Sequence, residues 1–396
     1  MQIITCLIGV LLLCFVFSFS AKADNINTLN IPFYSETVAI KYHTNMKLKA
    51  RLRTDERTMV QYYRNLEHTD YRVLLRDLQQ QQQHFQLNDY LLYDLTKAAV
   101  DEIYAGHSNL QKTLTCWFLL SKAGFDTRLT YLRNKAYLYV YTQDELFEIP
   151  MIEERGRTFV NLTSVHANQR QTEALYMLNF VANAKENACA FYLDQLPTFR
   201  PQIIKQDIHF TNGNYDYDLQ IETDQTIAEL MKKYPFFAEN RYLEAPLSTT
   251  LAASLLPQLR EKIAPMNDYR AVQFLAAFTR SAFKYKEDKY HFGKSKPMIP
   301  DELFHYPYSD CEDRAALFYS LVKSLLDLPM IAIAYPDHLT VAVHLEQIAN
   351  GKGAISHRGK KYYICDPTGP SNSNEIARAP EGYERQRFKI IGSHKG

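Results

Sequence analysis

Apolar and polar positions change period along this chain in an order that occurs twice. Residues 46–53 and 215–222 alternate like strands, and each stretch runs into Thr-Asp, at Thr54-Asp55 and Thr223-Asp224, ahead of a helical pattern. Leu87-Asn88-Asp89-Tyr90 opens a predicted helix over 91–104, and Met266-Asn267-Asp268-Tyr269 opens one over 270–285. The segment 119–125, Leu-Leu-Ser-Lys-Ala-Gly-Phe, has its counterpart in 322–328, Val-Lys-Ser-Leu-Leu-Asp-Leu, and a strand is predicted after both. Alternating residues 136–141 then answer to 338–343, and residues 157–160 to 360–365. Each half therefore reads as a hairpin, several helices and a small antiparallel sheet, an α+β arrangement. Pro197 and Pro201 place the boundary near 196–204, so the expected units are 24–202 and 203–396.

Composition narrows the functional classes. With 45 Lys plus Arg against 44 Asp plus Glu, nothing favours nucleic acid or an anionic surface as partner. Residues 3–19 form an apolar run followed by Ala21-Lys22-Ala23, the form of a cleavage site, so residues 1–23 are expected to be a signal peptide and the mature protein to be secreted, into a periplasm. No later stretch is apolar and long enough to span a membrane. Four cysteines remain beyond that segment, too few for a disulfide scaffold; the sequence leaves open whether Cys116 and Cys189 pair. His291 and His305, with Asp288 or Asp301, fit no recognised ligand spacing, so neither metal nor cofactor is expected.

The candidate chemistry lies in the second half. Ser309 with Glu312 three residues on has the form of a capping box and predicts a helix from there through Lys323, with Cys311 in its first turn. Free N–H groups and the positive dipole end favour a thiolate there, whereas Asp310, Glu312 and Asp313 oppose it, so an imidazole cation must help. Residues 331–335 read as a buried strand, Pro336-Asp337 as a turn, and His338 opens the alternating run Leu339-Thr340-Val341-Ala342-Val343. A third strand ends at Cys365, and Asp366-Pro367-Thr368-Gly369 turns the chain; Cys365 should face the core. A helix-start Cys, a strand-start His and a strand-end Asp converge when the helix packs across the sheet, giving a Cys311-His338-Asp366 triad. His344, on the same strand face but at its far end, is the rival base.

These three motifs, Asp-Cys opening a helix, His before an alternating strand and a hydrophobic strand ending in Asp-Pro-Thr, resemble the transglutaminase-like superfamily over residues 267–369. The resemblance implies a papain-related fold with Cys311 as nucleophile, His338 as general base and acid, and Asp366 as the orienting acid. Cys-Glu-Asp stands where animal transglutaminases have Cys-Trp, and no calcium-loop pattern occurs, which brings the chain closer to bacterial transglutaminase-like peptidase domains. Aligned on the repeat, Ser108 stands opposite Cys311, Ala136 opposite His338, and Asn161 or Thr163 near Asp366, so the first copy is expected to be inactive. The second copy carries a long insertion between Tyr285 and Cys311; Tyr306 and Tyr308 are the candidates there for lining the cleft or donating to an oxyanion. Two tandem transglutaminase-like domains acting on a peptide, protein or cell-envelope substrate are the expectation. A catalytically silent binding or scaffold protein of the same fold is the alternative.

Overall fold

The structure is a computed structural model and describes residues 25–164, 174–180, 182, 186–348, 353–369 and 376–396. The expected signal peptide lies outside the described residues. The first half begins with a hairpin of β1 (Ile26–Phe33) and β2 (Glu36–His43), followed by helices α1 (Glu56–Glu67), α2 (Tyr71–His84), α3 (Asp89–Ile103) and α4 (Asn109–Ala123). Strands β3 (Thr127–Leu132), β4 (Lys135–Thr142), β5 (Leu146–Phe147), β6 (Met151–Glu154), β7 (Arg157–Asn161) and β8 (Tyr176–Met177) complete it. The second half repeats the order with a hairpin of β9 (Ile203–Asn212) and β10 (Tyr215–Asp224), then α5 (Gln225–Lys232), β11 (Phe236–Phe237), α6 (Glu239–Glu244), α7 (Thr249–Ile263) and α8 (Asp268–Ser281). Next come β12 (Lys284–Tyr285), α9 (Asp288–His291), β13 (Tyr308–Ser309) and α10 (Cys311–Leu325). Strands β14 (Met330–Ala334), β15 (Leu339–Val343), β16 (Ala354–His357), β17 (Lys360–Ile364) and β18 (Lys389–His394) end the chain. The protein is α+β.

Both five-stranded sheets are antiparallel and have the same order, β6-β7-β4-β3-β8 and β16-β17-β15-β14-β18. Their helices start alike. Asn88 and Asn267 cap α3 and α8 by accepting from the backbone N–H of Leu91 and Arg270, and Asp55 and Asp224 cap α1 and α5. The long α7 and α8 lie on the β9–β10 hairpin, as α2 lies on β2, because these strands alternate and turn one apolar face inward. The strand expected over 46–53 is not formed. That segment is coil after a short 3-10 turn, and its carbonyl at Leu48 accepts from the Gln111 side chain instead of a ladder.

Among the described residues two large apolar cores result, with a smaller cluster of Ile331, Ile333, Tyr335, Ala342, Tyr362 and Ile364 on the other face of the second sheet. The core of the first half also takes in Ile227, Leu230, Met231, Tyr234, Phe237, Tyr242 and Ile299, all beyond residue 203. Strand β11 pairs with β5, tying the halves through their backbones as well. The second core surrounds α10, whose Ala315, Leu317, Phe318, Leu321 and Val322 are buried around the helix circumference. A helix apolar on all sides is one packed on all sides, and α10 sits between β15 and helices α6 and α8. That packing fixes where its N-terminus ends up. Among the described residues no helix is long and apolar enough to cross a membrane.

Candidate active site

Helix α10 starts one residue later than the Ser309 capping box predicts. Asp310 is the N-cap and Asp313 completes the box, its carboxylate accepting the Asp310 N–H at 3.1 Å. Ser309 is diverted because its hydroxyl accepts from Arg314 Nε at 3.0 Å. Cys311 is thereby the first helical residue, and its N–H has no acceptor within the helix.

His338 leaves the β14–β15 hairpin where its carbonyl accepts from the Tyr335 N–H at 2.8 Å, and its Nε2 lies 3.3 Å from Asp366 Oδ1. The Thr340 hydroxyl, at 3.1 Å, and the Thr368 N–H, at 3.2 Å, donate to the same oxygen. Burial alone would raise the Asp366 carboxyl; the bond and charge of His338, with these two donors, outweigh it and hold it below the ordinary carboxylate range. The Leu339 N–H, one residue after His338, lies against the Cys311 sulfur. Since Nε2 is turned to the acid, Nδ1 is the nitrogen left for the thiol. His344, the rival base, is half-buried just past the far end of β15 and binds the Lys361 carbonyl at 2.7 Å. Cys365 is buried in the second core.

The thiol has a further partner. Cys311 Sγ lies 3.0 Å from Glu312 Oε2 and donates to it. Burial, the neighbouring Glu312 carboxylate and then Asp310 push the thiol well above its ordinary pKa, with the Leu339 N–H opposing. Cys116, Cys189 and Cys365 are also free, buried and raised, chiefly by burial. Cys116 and Cys189 are therefore not a disulfide.

The insertion between α8 and α10 is clamped to the helix start by carboxylates. Asp310 Oδ2 accepts the Asp288 N–H at 3.2 Å, Asp288 Oδ2 the Lys296 N–H at 2.5 Å, and Asp313 Oδ1 the Met298 N–H at 2.9 Å. Burial and the Asp310 charge raise Asp288 to about 6, burial and the Glu312 charge raise Asp310 to about 7, and burial with the Asp310 and Glu312 charges holds Asp313 well above the ordinary carboxylate range. Among the described residues, Asp288, Asp310 and Asp313 form one of two groups close enough to share a cation, Asp310, Cys311 and Glu312 the other. Neither His291 nor His305 belongs to either. Tyr306 packs edge-on against Phe292 beneath Lys296, and Tyr308 against His291 beneath Lys286; none of these contacts is to the thiol or imidazole.

Sequence reasoning missed the part played by four side chains. Tyr383, from a C-terminal segment without periodicity, places its ring 5.1 Å from that of His338 and donates to Asp337 at 2.8 Å. Glu312 is expected from the sequence to cap the helix and to oppose the thiolate by its charge, but not to accept from the thiol. Arg280 and Arg314 each interrupt an apolar helix face, which is the signal that a buried cation gives.

The first half has a cavity at the corresponding place. Register equates the β3–β4 hairpin with β14–β15 so that Lys135, not Ala136, stands at the position of His338, and Thr163 stands at that of Asp366. Ser108 is the N-cap of α4, accepting the Gln111 N–H, so Asn109 rather than Ser108 matches Cys311. Asn109, Lys135, Ala136 and Thr163 all line a cavity of about 440 Å³. Comparison with protein-family models, characterised proteins and solved structures finds no match to this chain.

Proposed function

We propose that the protein is a secreted, periplasmic thiol enzyme acting on peptide or amide bonds, built from two tandem transglutaminase-like copies of which only the second is catalytic. The observation that carries this reading is the His338–Asp366 pair, with the N–H of the next residue, Leu339, turned to a cysteine at the first position of a buried helix. His338 takes the Cys311 proton as the sulfur attacks the carbonyl carbon, and Asp366 stabilises the imidazolium. Collapse of the tetrahedral adduct breaks the C–N bond, the imidazolium protonates the leaving amine, and a thioester remains. Water, deprotonated by His338, then breaks the S–C bond and releases the acid. Hydrolysis is favoured over transfer to a second amine because no feature of the cleft singles out an amine site. The first half, with Asn109, Lys135 and Thr163 at the three positions, has neither thiol nor imidazole at them and serves packing.

A second reading, a silent scaffold of the same fold, is favoured by one observation: in the resting protein the thiol is held by Glu312 and its pKa is raised. An activated ester such as p-nitrophenyl acetate separates the two. An enzyme accumulates an acetyl thioester mapped by mass spectrometry to Cys311, lost in Cys311→Ala, with turnover in His338→Ala reduced on the order of a thousandfold. Acetylation elsewhere, or none, supports the scaffold.

A further inference from the structure

Two buried cations that the mechanism above does not use bond the backbone around Asp366. Arg280 closes α8 and Arg314 lies three residues after Cys311 on α10; they are 4% and 3% exposed. Arg314 is partly satisfied by neutral groups, donating to Ser309 Oγ at 3.0 Å and to the carbonyls of Phe283 at 2.5 Å and Thr368 at 3.3 Å. Arg280 makes a single bond, from Nη2 to the Asp366 carbonyl at 2.8 Å, and its buried Nε and Nη1 have no partner among the described residues. Neither guanidinium forms an ion pair with a carboxylate among the described residues. Asp366, whose charge reaches both, is already committed through its side chain to His338, Thr340 and Thr368. Two buried like charges without a counterion are costly unless an anion arrives from outside.

There is room for one. Arg280, Arg314, Tyr285, Thr368 and Gly369 line an open cavity of about 360 Å³. It adjoins the triad on two sides: a Cβ at Gly369 would lie 3.6 Å from Asp366 Oδ2, and Tyr285 is close enough to Cys311 to feel its charge.

We propose that this cavity is a carboxylate-recognition subsite, so that the substrate of the Cys311 site is a peptide or amide bearing a free carboxylate a few bonds from the scissile carbonyl. A guanidinium with free donors in a water-poor wall is the side chain best suited to a carboxylate. An incoming carboxylate supplies both the missing acceptor and the missing countercharge, whereas a neutral amide supplies only the first. Burial pushes Arg314 down to about 10 and lowers Arg280, the strain that a bound anion relieves. The identification of the bound molecule as substrate rests on the thiol-enzyme reading; the recognition itself does not.

The test therefore reads binding, not turnover. Saturation-transfer NMR with the full chain compares N-acetylalanine, its C-terminal amide, and N-acetylglutamic acid α-amide, which carries only a side-chain carboxylate. The acid is expected to bind at least about tenfold more tightly than its amide, and Arg280→Met to erase that difference. Binding of the glutamyl probe as tight as that of N-acetylalanine assigns the subsite to acidic side chains; weaker binding assigns it to chain termini. Equal affinity for acid and amide, no binding of either acid, or undiminished acid binding by a folded Arg280→Met overturns the proposal. Should that variant not fold, the acid–amide comparison in the unaltered protein still decides. Failure of Cys311 to react with electrophiles would instead sink the thiol-enzyme reading and leave the binding result standing.

Discussion

Replacing Glu312 by Gln tests which group governs the thiol. The carboxylate sits 3.0 Å from Sγ, and its charge is the largest influence on Cys311 after burial. Two unit charges about 4 Å apart interact by roughly 1 kcal/mol in water and roughly 4 kcal/mol at an effective dielectric of about 20. Glu312 is half-buried, so a value near the lower end, about 1 to 2 kcal/mol, applies. That corresponds to about one pKa unit downward for Cys311 in Glu312→Gln. The thiolate fraction at neutral pH would rise about tenfold, but a less basic thiolate is a weaker nucleophile, and a Brønsted coefficient of about 0.4–0.5 returns about a factor of three. The expected net effect is therefore an alkylation rate at Cys311 about threefold higher at pH 7, with the whole pH–rate curve displaced about one unit to lower pH. Iodoacetamide kinetics from pH 6 to 10, followed at the Cys311 peptide, measure both. A slower reaction in Glu312→Gln would refute the reasoning, because it would make Glu312, and not His338, the acceptor of the thiol proton.

Other consequences follow from the same contacts. Asp288, Asp301 and Asp310 have folded pKa values of about 6, about 6 and about 7 against an ordinary 3.8, so the folded state holds more protons and stability falls as pH rises from about 4 to 7, by on the order of 2 to 3 kcal/mol for one such carboxyl. Hydrogen exchange corrected for intrinsic rate should show the Lys296 and Met298 amides losing protection between pH 5 and 8; constant protection would contradict the clamp. Ser108→Ala removes the α4 cap and should cost about 1 kcal/mol in denaturant melts while leaving activity within a factor of about two; a loss of activity comparable to Cys311→Ala would place chemistry in the first half. Residues 203–396 expressed alone expose Leu230, Phe237, Tyr242 and Ile299 from the first core and should be insoluble; a soluble, cooperatively melting fragment would show that this packing is dispensable.

Much of the site was legible because its residues sit at element boundaries. A cysteine at a helix start, a histidine at a strand start and an aspartate before proline each carry a local signal, and the sheet that gathers them follows from the apolar run 331–335, the alternation in 338–343 and the strand pattern of 360–365. What misled was competition between equally good local patterns. Ser309/Glu312 and Asp310/Asp313 are overlapping capping boxes, and the choice is made by Arg314 capturing the Ser309 hydroxyl and by the Met298 amide holding Asp313, contacts from a loop whose path has no period. Residues 46–53 alternate like a strand but find no partner strand, since Leu48 and Leu52 pack individually on the first core. The hairpin forms earlier, where Ile31, Val38 and Ile40 share a buried face. Tyr383 and the Arg280–Arg314 wall depend wholly on tertiary approach, which spacing along one chain does not encode.

Competitive labelling of the four described cysteines tests the central claim most directly. Limiting iodoacetamide at neutral pH, followed by peptide mass spectrometry, should modify Cys311 well ahead of Cys116, Cys189 and Cys365, and His338→Ala should erase that preference while His344→Ala leaves it intact. Preferential modification of another cysteine, or an undiminished Cys311 rate in His338→Ala, would contradict the account.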